Sequence, residues 1–197
     1  VPLTDQMLEL LATIPMREQS ILQPVSPYGV TKLAAEHLCH LYYVNHGVPT
    51  VSLRYFTVYG PRQRPDMAFN RFIRAALLGE PITLYGDGEQ TRDFTFVADA
   101  VAATVAAGDR GRPGAVYNIG GGSRVTINQV LDIIGRVTGR PLDIRRLPAE
   151  KGDMRDTFAD TSLAQAELGF SPSHSLEDGI TAEYRWLAEQ LERPQST

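Results

Sequence analysis

Ser26-Pro27-Tyr28-Gly29-Val30-Thr31-Lys32-Leu33-Ala34-Ala35-Glu36 reads as the start of a helix that sets a phenol beside an ammonium. Ser26 has the chemistry of an N-cap, Pro27 suits the first helical position, and Gly47 is a natural stop. Val30, Leu33, Ala34, Leu38, Leu41 and Tyr42 keep helical spacing, which predicts one buried face over residues 26–46. Tyr28 and Lys32 stand at i and i+4, side by side on one face. An ammonium next to a phenol favours the phenolate. A tyrosine tuned in this way can take a proton from an alcohol and return it. The same spacing also serves an ordinary amphipathic helix, and the pattern alone does not separate the two.

The neighbouring stretches do. Val51-Ser52-Leu53-Arg54-Tyr55-Phe56-Thr57-Val58-Tyr59-Gly60-Pro61 is an apolar strand running into a Gly-Pro turn. Tyr85-Gly86-Asp87-Gly88-Glu89-Gln90-Thr91-Arg92-Asp93-Phe94 follows, then Val97-Ala98-Asp99-Ala100-Val101. In this order the motifs resemble the extended short-chain dehydrogenase/reductase family, and within it the NAD-dependent nucleotide-sugar epimerases and dehydratases. The likeness is to UDP-glucose 4-epimerases. The run from Phe56 to Pro61 with Arg64-Pro65-Asp66-Met67-Ala68 is similar to UDP-glucuronate 4-epimerases. It extends over about residues 15–191.

The resemblance implies roles residue by residue. Tyr28 exchanges a proton with the sugar 4-hydroxyl. Lys32 holds the nicotinamide ribose and tunes Tyr28. Tyr55, Phe56 and Val58 lie in the segment beside the cofactor. Thr57 stands where many epimerases carry Asn and glucuronate-type members place a Thr near the sugar carboxylate. Arg92 grips the diphosphate, as a guanidinium fork suits phosphate oxygens. Arg64 is a second anion contact, with Arg62, Arg71 and Arg74 competing for that part. Tyr85 stacks near the base, and Asp153 lies near the nucleotide ribose. The expected function is a UDP-sugar 4-epimerase, an isomerase of the UDP-glucose/UDP-galactose or UDP-glucuronate type. The expected cofactor is NAD and the expected partner a second copy, joined through the Tyr28/Lys32 helix. The alternatives are a non-catalytic nucleotide-sugar-binding or interaction module and a dTDP-glucose 4,6-dehydratase-like enzyme.

The fold class that follows is α/β: the second half of a Rossmann-type sheet with an interleaved α/β substrate-binding lobe. The family's opening glycine turn, which holds the NAD pyrophosphate on a helix N-terminus, has no match before Tyr28. Its catalytic Ser/Thr strand has none either. The chain therefore reads as a C-terminal portion lacking the N-terminal NAD-binding half. Residues 1–25 read as a non-matching lead, 26–119 as a partial Rossmann core with a substrate-lobe insertion at 56–96, and 120–197 as mainly substrate lobe. Gly120-Gly121-Gly122 gives the first half of a dinucleotide pattern, but Val125 stands where the third glycine belongs.

Hydrophobic patterning predicts helices over 66–78, 97–107, 126–138, 162–168 and 176–191, and strands over 50–55, 116–119 and 143–146. Residues 82–85 and 91–96 flank Gly86-Asp87-Gly88 and read as a hairpin-like pair. The chain has 197 residues, 43% hydrophobic and 21% charged, enough for a real core. A net charge of -4 gives no global support for a nucleic-acid surface. One cysteine, Cys39, excludes an internal disulfide and a cysteine metal cluster. His37, His40, His46 and His174 have no metal-like grouping. No stretch reaches the roughly 18 apolar residues of a membrane span, and cytoplasm is the expected location.

Overall fold

The computed structural model describes residues 2–4, 14–24, 26–148 and 156–193. The chain forms two compact units that interleave along the sequence. The first comprises Val1–Val58, Arg92–Arg124 and Met154–Ser173, and the second Tyr59–Thr91, Val125–Asp153 and His174–Thr197.

The first unit is built on a parallel three-stranded sheet. Its strands are β1 (Pro2–Thr4), β2 (Ser52–Tyr55) and β7 (Val116–Ile119), in the order β1-β2-β7. Leu3 faces Arg54, and Tyr55 faces Ile119. Parallel neighbours need crossover helices, and α1 (Pro27–His46), α3 (Val97–Arg110) and α5 (Ser162–Leu168) belong to this unit. Leu53, Tyr117 and Ile119 of the sheet are buried with Ala103, Ala107, Leu168 and Phe170. Of the lead expected over residues 1–25, Pro2–Thr4 is a strand of this sheet, while residues 1, 5–13 and 25 lie outside the described residues.

Helix α1 starts and stops where its caps direct. The Ser26 hydroxyl accepts from the Gly29 amide at 3.0 Å, and Gly47 closes the helix in the left-handed region. The buried face differs from the expected one. Gly29 and Glu36 are its buried residues, while Val30, Leu38 and Tyr42 are more than half exposed. Glu36 takes a two-pronged contact from Arg54 on β2, at 2.8 Å from Nε and 2.7 Å from Nη2. Both side chains are almost fully buried, so this pair ties the helix to the sheet.

In the second unit α2 (Ala68–Leu78), α4 (Ile127–Thr138) and α6 (Leu176–Glu192) pack on one another. Strands β4 (Ile82–Tyr85) and β9 (Ile144–Leu147) pair in parallel, with Ile82 opposite Ile144 and Tyr85 opposite Leu147. The hairpin expected between 82–85 and 91–96 is therefore not formed. Alternation marks a strand but does not name its partner, and here the partner lies some sixty residues on. The second run is split into β5 (Thr91–Asp93) and β6 (Thr95–Phe96). The remaining short strands are β3 (Val58–Tyr59) and β8 (Arg124–Thr126). Thr126, expected inside a helix, is the N-cap of α4 in a full capping box with Gln129.

Removing one member of the Arg54–Glu36 pair leaves a buried charge alone. Glu36→Ala should lower unfolding free energy by about 3–5 kcal/mol in urea titrations. The double change Glu36→Leu, Arg54→Met should recover most of that loss. Equal losses in the single and double variants would contradict this account.

Candidate active site

Tyr28 sits on the first turn of α1 and is 45% exposed, so its phenol is presented to solvent. The Lys32 ammonium lies over the Tyr28 ring, 5.1 Å from its centroid. The carbonyl of Tyr28 accepts from the Thr31 hydroxyl at 2.7 Å, which ties the turn carrying both residues. Tyr28 and Lys32 thus form one group, as the i, i+4 spacing predicts. Glu36 stands one further turn along the same face, and its contact with Arg54 fixes the rotation of the whole face.

The segment after β2 divides by role. The Tyr55 hydroxyl shares a 2.6 Å hydrogen bond with Thr104 of α3. Phe56, expected beside the cofactor, is a core residue: its side chain is fully buried with Met16 and Ala159. Its amide donates to the Ile119 carbonyl and its carbonyl accepts from the Thr95 hydroxyl. A phenylalanine in an apolar strand carries no sequence mark that separates core from site. Thr57 and Val58 are half-buried, and the Thr57 carbonyl accepts from the Thr95 amide at 3.1 Å. Arg92, on β5, is half-buried in the first unit.

Arg64 and Tyr85 belong to the second unit. The Arg64 fork is engaged by Asp66, at 3.1 and 2.8 Å, with both side chains mostly exposed. The guanidinium holds the Asp66 carboxyl below its ordinary range. An anionic ligand would have to compete with that carboxylate for Arg64. Tyr85 is at the exposed end of β4, and its carbonyl accepts from the Gln90 side chain. Asp153 lies outside the described residues.

The glycine turn after β7 has a packing role. A Cβ at Gly121 would fall 1.8 Å from the Phe94 carbonyl oxygen, and one at Gly120 would fall 2.4 Å from an Asp93 oxygen. The buried Asp93 carboxylate accepts from the Gly121 amide at 2.7 Å and the Ala159 amide at 3.1 Å. These glycines are thus closed against protein and offer no cradle to a pyrophosphate. Asp99, in the first turn of α3, is buried and accepts from both the amide and the hydroxyl of Ser173.

Three anchors escaped the motif reading: the Glu36–Arg54 pair, Asp93 and Glu183. Glu183 is fully buried in α6, and burial pushes its carboxyl up to about 8. One signal was available. Ile180, Glu183 and Leu187 stand at i, i+3 and i+7, so a carboxyl falls in the apolar stripe. Among the described residues no group of three His, Cys, Asp or Glu could hold a metal ion. No helix among them is long and apolar enough to cross a membrane.

A parallel sheet, a helix carrying an adjacent Tyr and Lys, and a second unit interleaved in sequence make up an α/β fold of Rossmann type. The family model for the NAD dependent epimerase/dehydratase family matches residues 3–120, beginning within the segment read above as a lead. The chain belongs to this family. It is 45% identical over 174 residues to YtcB of Bacillus subtilis, described as an uncharacterized UDP-glucose epimerase, covering 87% of this chain and 54% of that protein. It is 38% identical to a UDP-glucuronate 4-epimerase of Thermodesulfobacterium geofontis, covering 86% of this chain and 52% of that protein. Among solved structures, UDP-glucuronic acid 4-epimerase of Bacillus cereus, in complex with UDP-glucuronic acid and NAD, is similar with a TM-score of 0.91 at 42% identity. That match covers 96% of this chain and 60% of the other. The chain thus spans about half the length of the curated relatives it matches.

Gly121→Ala should cost about 2 kcal/mol or more, because the new methyl must displace backbone. Thermal and urea unfolding check this. A stability change within about 0.5 kcal/mol, the usual range for a neutral surface site, would show that the turn has room for a ligand.

Proposed function

We propose that the whole protein to which this chain belongs is a UDP-sugar 4-epimerase, with UDP-glucuronate or UDP-glucose as substrate. The single observation that carries this reading is the Tyr28–Lys32 pair, held together on the exposed first turn of α1. Family membership supplies the chemical context.

The pair fits the nicotinamide-ribose end of NAD. It provides a phenol and an ammonium on one face, and Lys32 has donors for ribose hydroxyls. The closed Gly120–Gly122 turn does not fit the pyrophosphate end. When bound, NAD supplies reversible hydride acceptance at the sugar C4. Tyr28 takes the proton of the 4-hydroxyl and later returns it. Lys32 holds the phenol and the ribose in register. Thr57 offers one hydroxyl toward the sugar, and Arg92 offers a fork to the diphosphate. In the same proposal Tyr85 stacks on the base, Asp153 meets the nucleotide ribose and Arg64 is a secondary anion contact. Tyr55 and Val58 flank the cofactor, Tyr55 with its hydroxyl already engaged by Thr104.

A homodimer through α1 is part of the proposal. Leu38, Leu41 and Tyr42 stand exposed on that helix, more apolar surface than a solvated helix ordinarily carries. The location proposed is the cytoplasm. One observation keeps a second reading: the chain is 34% identical to a dTDP-glucose 4,6-dehydratase of Streptomyces griseus, over 93% of this chain and 56% of that protein.

Two measurements test the proposal. Completed with the N-terminal portion of the YtcB relative, the protein should interconvert UDP-glucuronate or UDP-glucose with its 4-epimer. Tyr28→Phe should then lower turnover by about 10²–10⁴ while NAD is retained. Turnover within a few-fold of the parent would remove Tyr28 from the acid/base role. Formation of a 4-keto-6-deoxy sugar from dTDP-glucose would favour the dehydratase reading.

Calorimetry of this chain alone with NAD should show no tight binding, since its glycine turn is closed against Phe94 and Asp93. Stoichiometric, sub-micromolar binding would mean that other residues of the chain build the pyrophosphate site.

A further inference from the structure

Glu183 is the one acidic side chain on the buried face of α6, and its surroundings are sharply defined. Its Oε2 accepts from the Gly60 amide at 2.9 Å, while Oε1 is buried with no hydrogen-bond partner. Gly60 begins the loop at residues 60–67, which leads from β3 into α2 and carries Arg64 and Asp66.

That loop is specified from several sides. The Gln63 amide donates to the Gly60 carbonyl at 3.0 Å. Gln63 is in turn clasped by Asn70, whose amide donates to the Gln63 side chain and whose side chain donates to the Gln63 carbonyl. Arg62 is in the left-handed region, with φ 71, the only residue other than glycine to be so among the described residues. A conformation of that kind persists only when its surroundings over-determine it. The Glu183–Gly60 contact is the anchor of the loop in α6.

The chemistry of the anchor depends on its proton. A buried carboxylate with a single N–H donor is poorly compensated for lost hydration. Among the described residues no opposing charge is buried beside it on the helices packed against α6. The buried residues of α2 and α4, the helices packed on α6, include no charged side chain. Arg71, Arg74, Gln129, Asp132 and Arg136 of those helices are not among them, and Arg136 pairs with Glu177. The titratable group on the adjoining strand is Tyr59, whose hydroxyl donates to the Leu176 carbonyl. On α6 itself Asp178 bonds the Ser175 hydroxyl, and Tyr184 and Arg185 are not buried. Burial therefore governs Glu183 and pushes its carboxyl up to about 8. The folded chain holds a proton there that an unfolded chain releases near 4.5. Stability from this group is complete below that unfolded value and is lost as pH rises through about 8.

We propose that Glu183 is a positioning residue: through the Gly60 amide it holds the loop at residues 60–67, and thereby places Arg64 for an anionic sugar nucleotide. The ligand half of this inference rests on the nucleotide-sugar reading above, and the loop half does not. Ionisation of Glu183 leaves a buried charge whose lost hydration the single Gly60 amide replaces only in part, so opening is favoured, and loop order and ligand affinity decline together in alkaline solution.

Amide hydrogen exchange of the full chain between pH 6 and 9.5, corrected for intrinsic base catalysis, tests the loop half. In the parent, protection of residues 60–67 should fall by up to about tenfold per pH unit above 8. Glu183→Gln keeps the shape and cannot ionise, so it should retain protection at pH 7 and lose the alkaline decline. Glu183→Ala should reduce protection at every pH. If Glu183→Gln declines in step with the parent, or Glu183→Ala protects the loop as well as the parent, the inference is wrong. Should Glu183→Ala not fold, the Glu183→Gln profile decides alone. The ligand half is read by NMR titration of the same samples with UDP-glucuronate. Affinity should fall between pH 7 and 9.5 in the parent and hold steady in Glu183→Gln. An equal fall in both overturns the ligand half. If the parent shows no UDP-glucuronate binding at pH 7, the nucleotide-sugar reading of this chain fails, and the exchange profile still decides the role of Glu183.

Discussion

The Arg54–Glu36 pair is the constraint on which the first unit depends. A helix laid on a sheet by apolar contacts alone has some freedom to roll, because methyl groups pack in many ways. A guanidinium clasped by a carboxylate at 2.7 and 2.8 Å, both almost fully buried, has one geometry. Two turns upstream on the same face stands Tyr28, and one turn upstream Lys32. The direction in which the phenol and ammonium point is therefore set by an ion pair within the fold. Arg54 also donates to the Glu18 carbonyl at 3.2 Å, and Glu18 accepts from the Asn118 amide on β7. The pair thus reaches the segment before α1 and both strands beside it. Burial raises the Glu18 carboxyl despite that backbone contact.

A second carboxylate organises the other end of this unit. Asp93 gathers the amides of Gly121 and Ala159 into one buried point. Three chain segments distant in sequence meet there, and the glycines are required because backbone approaches backbone. The two anchors differ in physics. Arg54–Glu36 compensates charge with charge, while Asp93 is supported by oriented amide dipoles, each a strong hydrogen bond in a low-dielectric setting. Glu183 in the second unit is a third kind, a carboxyl that among the described residues has one donor and no countercharge, for which neutrality is the economical state.

Local structure was legible in the sequence wherever a short-range rule sufficed. Ser26, Pro27 and Gly47 bound α1, Gly79 and Gly139 close α2 and α4, and Val116–Ile119 and Ser162–Leu168 fall where patterning put them. The Tyr28–Lys32 adjacency follows from helical geometry alone, and family membership follows from the order of motifs. These features depend on residues within a turn or two of one another.

The tertiary structure decided what depends on distant partners. Whether β4 joins β5 or β9 is fixed by a strand some sixty residues away, which alternation cannot reveal. Whether Phe56 serves a site or a core depends on Met16 and Ala159. The apolar stripe of α1 is mostly exposed in this chain, while Glu36 on another face is buried against Arg54, a partner that helical spacing does not reveal. Gly120-Gly121-Gly122 carries half of a dinucleotide pattern, yet the space beside Gly120 and Gly121 is filled by Asp93 and Phe94. A sequence states which groups a residue carries; burial and long-range partners decide what those groups are free to do.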